Sequence, residues 1–274
     1  MHAGGKHMVD VPVVALHAEI LNFRDLGGFP VGSGLEFRRG VVYRTQALTG
    51  LSPLAVAELS ALGITHAVDL RMDHERSSLP VHLPVSMTVV VADVMAGRAD
   101  SAVAEAGAAE SGGREAAPRP TSGREMMAQT YRDFIRLPSA QAAYAEFLRT
   151  VIAADGATAV YCAAGKDRTG WAAALLQTFA GVDPAVVSLE YAASNEHLVT
   201  RSAPRIQAER DAGGDVEALL ALVDANPDYL ASALHCMVDE YGDVDTYVGR
   251  GLGLSARERE LLRGRVTGPA DDAR

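Results

Sequence analysis

This chain is poor in cysteine, in basic residues and in long apolar runs, and each shortage excludes a class of protein. Its 274 residues hold two cysteines, Cys162 and Cys236, too few for a disulfide framework and in keeping with a reducing compartment. No apolar run approaches the roughly 20 residues of a membrane-spanning helix, so no stable membrane anchor is expected. Residues Met1 to Met8 lack the apolar core of a secretory signal and read as residues added ahead of the domain. The location these features imply is the cytoplasm, or secretion without a recognisable signal peptide. Lys and Arg number 25 against 35 Asp and Glu, a formal net charge of −10, which argues against nucleic acid as a partner. Any anion that binds must therefore be held by local groups. His197 and His235 have no partner at metal-ligand spacing, so neither a metal nor another cofactor is expected.

What the chain does have is a globular balance. Apolar residues make up 48% at a mean hydropathy of +0.05, enough for a sizeable core of its own. The stretch that organises it is Tyr161-Cys162-Ala163-Ala164-Gly165-Lys166-Asp167-Arg168-Thr169-Gly170. Ala157 to Tyr161 before it suits a buried strand. Thr169 to Ala180 after it has Trp171, Leu175 and Phe179 at helical spacing, with Gly181 placed to end the helix. The reading is strand, tight loop, helix, with Gly165 permitting the sharp turn.

That order suits an anion. Successive backbone N–H groups in a curled loop, followed by a helix N-terminus, make a concavity of partial positive charge. A cysteine there is expected to favour its thiolate. Arg168 offers a planar fork to two oxygens, and the amides from Ala163, Ala164, Gly165, Lys166, Asp167 and Arg168 can line the phosphate-sized hollow. Thr169 can donate a hydroxyl hydrogen bond to the sulfur. Cys162 as nucleophile with Arg168 as clamp supports attack on phosphorus through a covalent thiophosphate. A lone cysteine at a strand end more often packs than reacts, but Arg, Gly and Thr at this spacing reverse that reading. The nucleotide-loop pattern Gly-x4-Gly-Lys-Ser/Thr is absent.

At these residues the chain resembles the cysteine-dependent protein tyrosine phosphatase superfamily, whose signature is Cys-x5-Arg-Ser/Thr. Gly165-Lys166-Asp167-Arg168-Thr169-Gly170 is similar to a bacterial subgroup of tyrosine and phosphoinositide phosphatases. Asn22 to Gly28, Tyr43-Arg44-Thr45, Asp69-Leu70-Arg71 and Tyr191 to Asn195 resemble that subgroup too, over nearly the whole chain. The resemblance implies hydrolysis of a phosphotyrosyl protein or a phosphoinositide, with phosphate or another oxyanion in the active site. It also implies that Asp93, after the strand candidate Val85 to Ala92, is the general acid and that Asp167 orients its cationic neighbours; the residues alone allow Asp93 to be a plain turn residue and Asp167 to be the acid. One departure is Tyr161, where the family usually has His. Lys166 is expected to place a cation at the pocket floor, which would favour further phosphates on an inositol ring; an outward-pointing Lys166 is the alternative. Two other functions stay open: a phosphate- or phosphoinositide-binding module without turnover, and a rhodanese-type sulfurtransferase.

The predicted architecture is α/β: a central twisted, mostly parallel sheet flanked by helices, phosphatase-like, with a helical C-terminal third. One domain is expected over 9–267. Within it, the Ala-, Gly- and Ser-rich residues at about 94–123 are expected to be mobile, either as a disordered insertion or, as the resemblance implies, as a lid over the active site that is partly helical between Ala99 and Glu110. Phe37 to Tyr43 and Ile64 to Leu70 read as strands, with a helix from Ser52-Pro53 to Gly63 between them. Arg24 and Asp25 either reach the site or pair with each other, and Arg44 is either a second anion contact or a surface charge. Asp69, Arg71, Asp73, Glu75 and Arg76 form a charged strand exit, read as salt-bridged support in preference to direct catalysis. Ser139 is expected to cap a helix, Asp183-Pro184 to start one reaching about His197, and Ser255-x-x-Glu258 to form a capping box.

Overall fold

The computed structural model describes residues 19–96 and 122–270. In chain order its strands are β1 (Arg24–Asp25), β2 (Pro30–Gly32), β3 (Leu35–Phe37), β4 (Val42–Thr45), β5 (Ile64–Asp69), β6 (Thr88–Val91), β7 (Ala157–Tyr161) and β8 (Thr267–Pro269). Five of them form one sheet in the order β1-β4-β7-β5-β6. The pairs β4–β7, β7–β5 and β5–β6 are parallel, while β1 runs antiparallel on the edge. All five residues of β7 are buried, as a strand covered on both faces requires. Because the four strands are parallel, Thr45, Asp69, Val91 and Tyr161 end on one edge of the sheet. Ligands of open α/β sheets sit outside that edge.

The helix Asp167–Ala180 leaves the loop after β7 and is buried almost all round, with Trp171, Leu175 and Phe179 in the core. Gly181 adopts φ 96° and sends its N–H back to Gln177 and Thr178, a left-handed cap that a side chain would strain. Around it pack Gly123–Arg136, Pro138–Ala153 and Pro227–Tyr241, so the C-terminal third is helical as expected. A π-turn, Tyr247–Gly251, precedes the last helix, Ala256–Val266.

Several expectations shift. The strand expected over Phe37 to Tyr43 is two strands, because Arg38-Arg39-Gly40 turns between them with Gly40 at φ 71°. Val85 to Ala92 contracts to β6. Ser139 is no cap: its helix starts at Pro138, and the Ser139 hydroxyl donates to the Val94 carbonyl at 3.0 Å. The helix from Pro184 stops at Ala192, and a separate one, Asn195–Asp211, follows. A small antiparallel sheet, β2-β3-β8, had no sequence signal, since its strands are three residues each. The lid and its helix between Ala99 and Glu110 lie outside the described residues.

The capping box forms as expected. Ser255 Oγ accepts from the Glu258 N–H, and Glu258 Oε2 accepts from the Ser255 N–H at 2.7 Å. Hydrogen bonds from Arg149 first, then from Ser255, hold the Glu258 carboxyl down at about 2. A depressed carboxyl stabilises the fold above its unfolded value and loses that contribution as pH falls through the folded one. Glu258→Gln can keep the capping bonds but loses the charge that Arg149 meets, so it is expected to lower stability near neutral pH by less than about 1 kcal/mol, the scale of a solvent-screened pair. Urea titrations should show the difference from wild type shrinking between pH 4.5 and about 2. A difference that is constant with pH would contradict this account.

Candidate active site

The loop after β7 is held from behind. Ala47 N–H donates to the Ala163 carbonyl at 3.2 Å, and Asn22 Nδ2 donates to the Ala164 and Gly165 carbonyls at 3.0 and 3.1 Å. Arg44 Nη2 also donates to the Gly165 carbonyl, at 2.6 Å. In a planar trans peptide the carbonyl and the next N–H point in opposite directions. Three carbonyls tied toward the sheet therefore turn the amides of Ala164, Gly165 and Lys166 the other way, toward the loop's hollow. Gly165 stands at φ 69°, and a Cβ there would lie 2.4 Å from the Thr45 carbonyl oxygen, so this turn needs glycine.

Arg168 closes the loop and is itself clamped. Glu75 takes two of its nitrogens end-on, with Nη1 at 2.5 Å from Oε2 and Nη2 at 2.9 Å from Oε1. A guanidinium has five N–H donors, so the Nε side remains for two oxygens of a ligand. Burial alone would raise the Glu75 carboxyl, but the hydrogen bonds and charge of Arg168 outweigh it and hold the carboxyl below its ordinary value. Burial alone would lower the Arg168 guanidinium; Glu75, with the Cys162 sulfur and Asp167, raises it instead. Glu75 comes from the short helix Asp73–Ser78, where its Oε2 also accepts from the Met72 N–H at 2.8 Å. The charged cluster after β5 thus supports the site through Glu75, while Arg71 pairs with Asp69 at 2.7 Å.

Lys166 corrects the expectation about the pocket floor. Its ammonium donates to the Leu222 and Asp224 carbonyls at 2.5 and 3.1 Å and pairs with Asp167 at 3.3 Å. It closes the C-terminal end of the helix Val216–Val223, away from any ligand in the loop. Asp167 accepts from Tyr131 Oη at 2.9 Å and so ties the loop to the buried Tyr131–Tyr191 pair. Arg44 is corrected likewise: it is buried behind the loop and is no second contact for the anion. Arg24 and Asp25 do not pair with each other, since Arg24 pairs with Glu190 while Asp25 accepts from Gly27 and Gly40 N–H at 2.8 Å each.

Cys162 is 2% exposed and Ala163, beside it, is open to solvent. Thr169 Oγ1 is buried with no hydrogen-bond partner among the described residues, so the expected bond to the Cys162 sulfur is not made and the hydroxyl is a donor left over in the first turn of the helix. Tyr161, in the position of the usual His, is fully buried with the Arg71 guanidinium 5.7 Å above its ring. Asp93 stands after β6 on the same sheet edge. Its Oδ2 accepts from the Asp73 N–H at 3.0 Å and lies 3.5 Å from Arg76, and its Oδ1 accepts from the Met95 N–H at 3.0 Å. A pocket of about 380 Å³ adjoins the loop, lined by Ala163, Ala164, Glu75, His74, Arg71 and Arg201 among others. Cys236 is a contrasting thiol: burial pushes it up to about 11, as befits a packed residue.

A sequence model of the tyrosine phosphatase family matches residues 16–268. The chain belongs to that family. A Cupriavidus necator protein named as a candidate tyrosine-protein phosphatase is 29% identical over 247 residues, which is 89% of this chain and 85% of that one. A triple specificity protein phosphatase of Mycobacterium tuberculosis, PtpB, is 26% identical over 90% of this chain and 96% of its own. The crystal structure of P. aeruginosa TpbA aligns over 74% of this chain and 90% of its own, at 17% identity and a TM-score of 0.31.

Glu75 and Asn22, both bonded to groups of the loop, are among the residues that the sequence did not single out. Glu75 sat in a charge cluster that reads equally as surface support, and Asn22 opened a motif with no chemistry of its own. Glu75→Gln keeps the shape but removes the charge that sets Arg168. Its kcat/KM for an aryl phosphate is expected to fall by about 100-fold, the scale of a misplaced clamp. Steady-state kinetics on a folded Glu75→Gln protein checks this, and a rate equal to wild type would show that Arg168 needs no partner.

Proposed function

We propose that this phosphatase hydrolyses phosphotyrosyl proteins, with Cys162 as nucleophile, Arg168 and the loop amides as the phosphate clamp, and Asp93 as the general acid. The observation that carries this reading is the outward tie of the Ala163, Ala164 and Gly165 carbonyls, which turns their following amides into the hollow beside Arg168. In the first step the Cys162 thiolate attacks phosphorus while the P–O bond to the leaving group breaks. Asp93 gives its proton to that departing oxygen. In the second step Asp93 takes a proton from water, which attacks phosphorus and breaks the P–S bond. The thiolate leaves under a hydrogen bond from the unpartnered Thr169 hydroxyl, and inorganic phosphate departs. For Asp93 to serve, its bonds to the Asp73 and Met95 amides must open when substrate enters.

Phosphotyrosine is favoured over a phosphoinositide because the extra phosphates of an inositol ring lose the cation expected for them. Lys166 is held by the Leu222 and Asp224 carbonyls. The mycobacterial relative carries the words triple specificity in its name, and the present substrate proposal is narrower. We take the domain to be single, over 9–267, with the insertion near 94–123 inside it.

The test is hydrolysis of a chromogenic aryl phosphate and of a phosphotyrosyl peptide, with a metal chelator present. Wild type is expected to turn over both, and Cys162→Ser to lose at least about 10³-fold. Asp93→Asn is expected to lose about 10²-fold and the basic limb of the pH–rate profile. An unchanged limb would leave Asp93 only the capping of Asp73–Ser78, and full turnover by Cys162→Ser would remove the mechanism.

A further inference from the structure

Behind the loop lies a cluster of buried charge that the reaction scheme does not use. β1 and β4 are in a register that sets Arg24 directly opposite Arg44. Two like charges facing each other across a strand pair repel. Glu190, from the helix Pro184–Ala192, sits between them: Oε1 pairs with Arg24 Nε at 2.8 Å and Oε2 with Arg44 Nη1 at 2.7 Å. Ser194 Oγ accepts from both arginines, at 3.0 and 3.2 Å. The three charged side chains are at most 1% exposed.

Burial raises the Glu190 carboxyl, yet the two arginines outweigh it and hold it below its ordinary value, so it is ionised. Burial, opposed by Glu190 and reinforced by Arg44, brings the Arg24 guanidinium down to about 10, still charged at neutral pH. Within the buried set, two guanidiniums and one carboxylate sum to one positive charge, and the exposed Glu196 also acts on Arg24. The set lies behind the Gly165 peptide, in a chain whose overall charge is −10.

Such a cluster is weak as pure scaffolding. Buried ion pairs are costly to desolvate, and apolar side chains of the same volume often stabilise a fold equally well. What an apolar replacement cannot do is hold carbonyls. Arg24 Nη1 donates to Asn22 Oδ1, which fixes the amide so that its Nδ2 faces the Ala164 and Gly165 carbonyls. Asn22 itself takes φ 57°, a left-handed conformation in which asparagine is among the few tolerated residues. The chain of contacts runs from Glu190 through two arginines and Asn22 to the two loop carbonyls.

We propose that Asn22, Arg24, Arg44 and Glu190 are positioning residues for the oxyanion loop. They hold the Ala164 and Gly165 peptides with their amides inward and place a net positive charge behind them. The inference rests on the phosphatase reading of that loop, and it makes affinity for a phosphate dianion depend on residues that never touch it.

The experiment is titration calorimetry with inorganic phosphate, together with KM and kcat for an aryl phosphate and a thermal melt for each protein. Asn22→Gly tolerates the backbone angle and removes the ties. It is expected to bind phosphate about 10-fold more weakly and to raise KM in parallel. Asn22→Asp places an acceptor against two carbonyls and cancels the net charge, so its loss should be larger still. Arg44→Lys keeps charge and is expected to bind better than Arg44→Gln, the comparison that decides if the Asn22 variants do not fold. Phosphate affinity within twofold of wild type in folded Asn22 variants, or equal affinities for Arg44→Lys and Arg44→Gln, would overturn the inference even if the melts shift. A wild-type protein that turns over aryl phosphate would leave the reading of the loop intact in that event. Wild type that neither binds phosphate nor turns over would overturn both.

Discussion

The structure depends on keeping one short loop in a conformation it would not choose alone. Peptide carbonyls are the natural acceptors near any cation, and an unanchored loop would turn some of them toward Arg168. Here three consecutive carbonyls are engaged on the sheet side, by the Ala47 amide, the Asn22 amide and the Arg44 guanidinium. The proposed anion site is thus built by removing acceptors from it, as much as by supplying donors. Gly165 allows the turn, and the absence of a Cβ lets the loop lie against the Thr45 carbonyl.

Around that constraint the parallel sheet acts as a common edge. β4 delivers Arg44 and Thr45, β5 leads to Glu75, β6 to Asp93, and β7 to Cys162, so four separate segments meet where parallel strands end. The helix Asp167–Ala180 completes the electrostatics with its N-terminus at the loop. The cations divide by task. Arg168 is clamped by Glu75, Lys166 closes a neighbouring helix, and Arg24 and Arg44 pair with Glu190 behind the loop. On the proposed reading, that division is what lets a chain with an excess of acidic residues hold a dianion.

Much of this was legible in the sequence because it was local. Strand, loop and helix follow from Ala157 to Gly181 alone, and the Cys-x5-Arg-Thr spacing names the chemistry without any distant residue. What escaped was non-local. Glu190 is the one charged residue on its helix, and no spacing reveals that two arginines more than 140 residues away enclose it. Lys166 was misread for the same reason: its destination, the carbonyls at Leu222 and Asp224, belongs to a helix end some 56 residues on. Arg38-Arg39-Gly40 split an expected strand because the Gly40 amide is taken by Asp25, again a partner outside the window that periodicity reads.

The covalent step is the centre of the account, and trapping it tests the account most directly. Acid quenching of wild-type protein within its first turnover of a phosphotyrosyl peptide, followed by mass spectrometry of the digest, should find one phosphoryl group on the peptide containing Cys162 and none on the peptide containing Cys236. Turnover with a phosphorylated residue elsewhere, or with no phosphorylated peptide at any quench time, would contradict it.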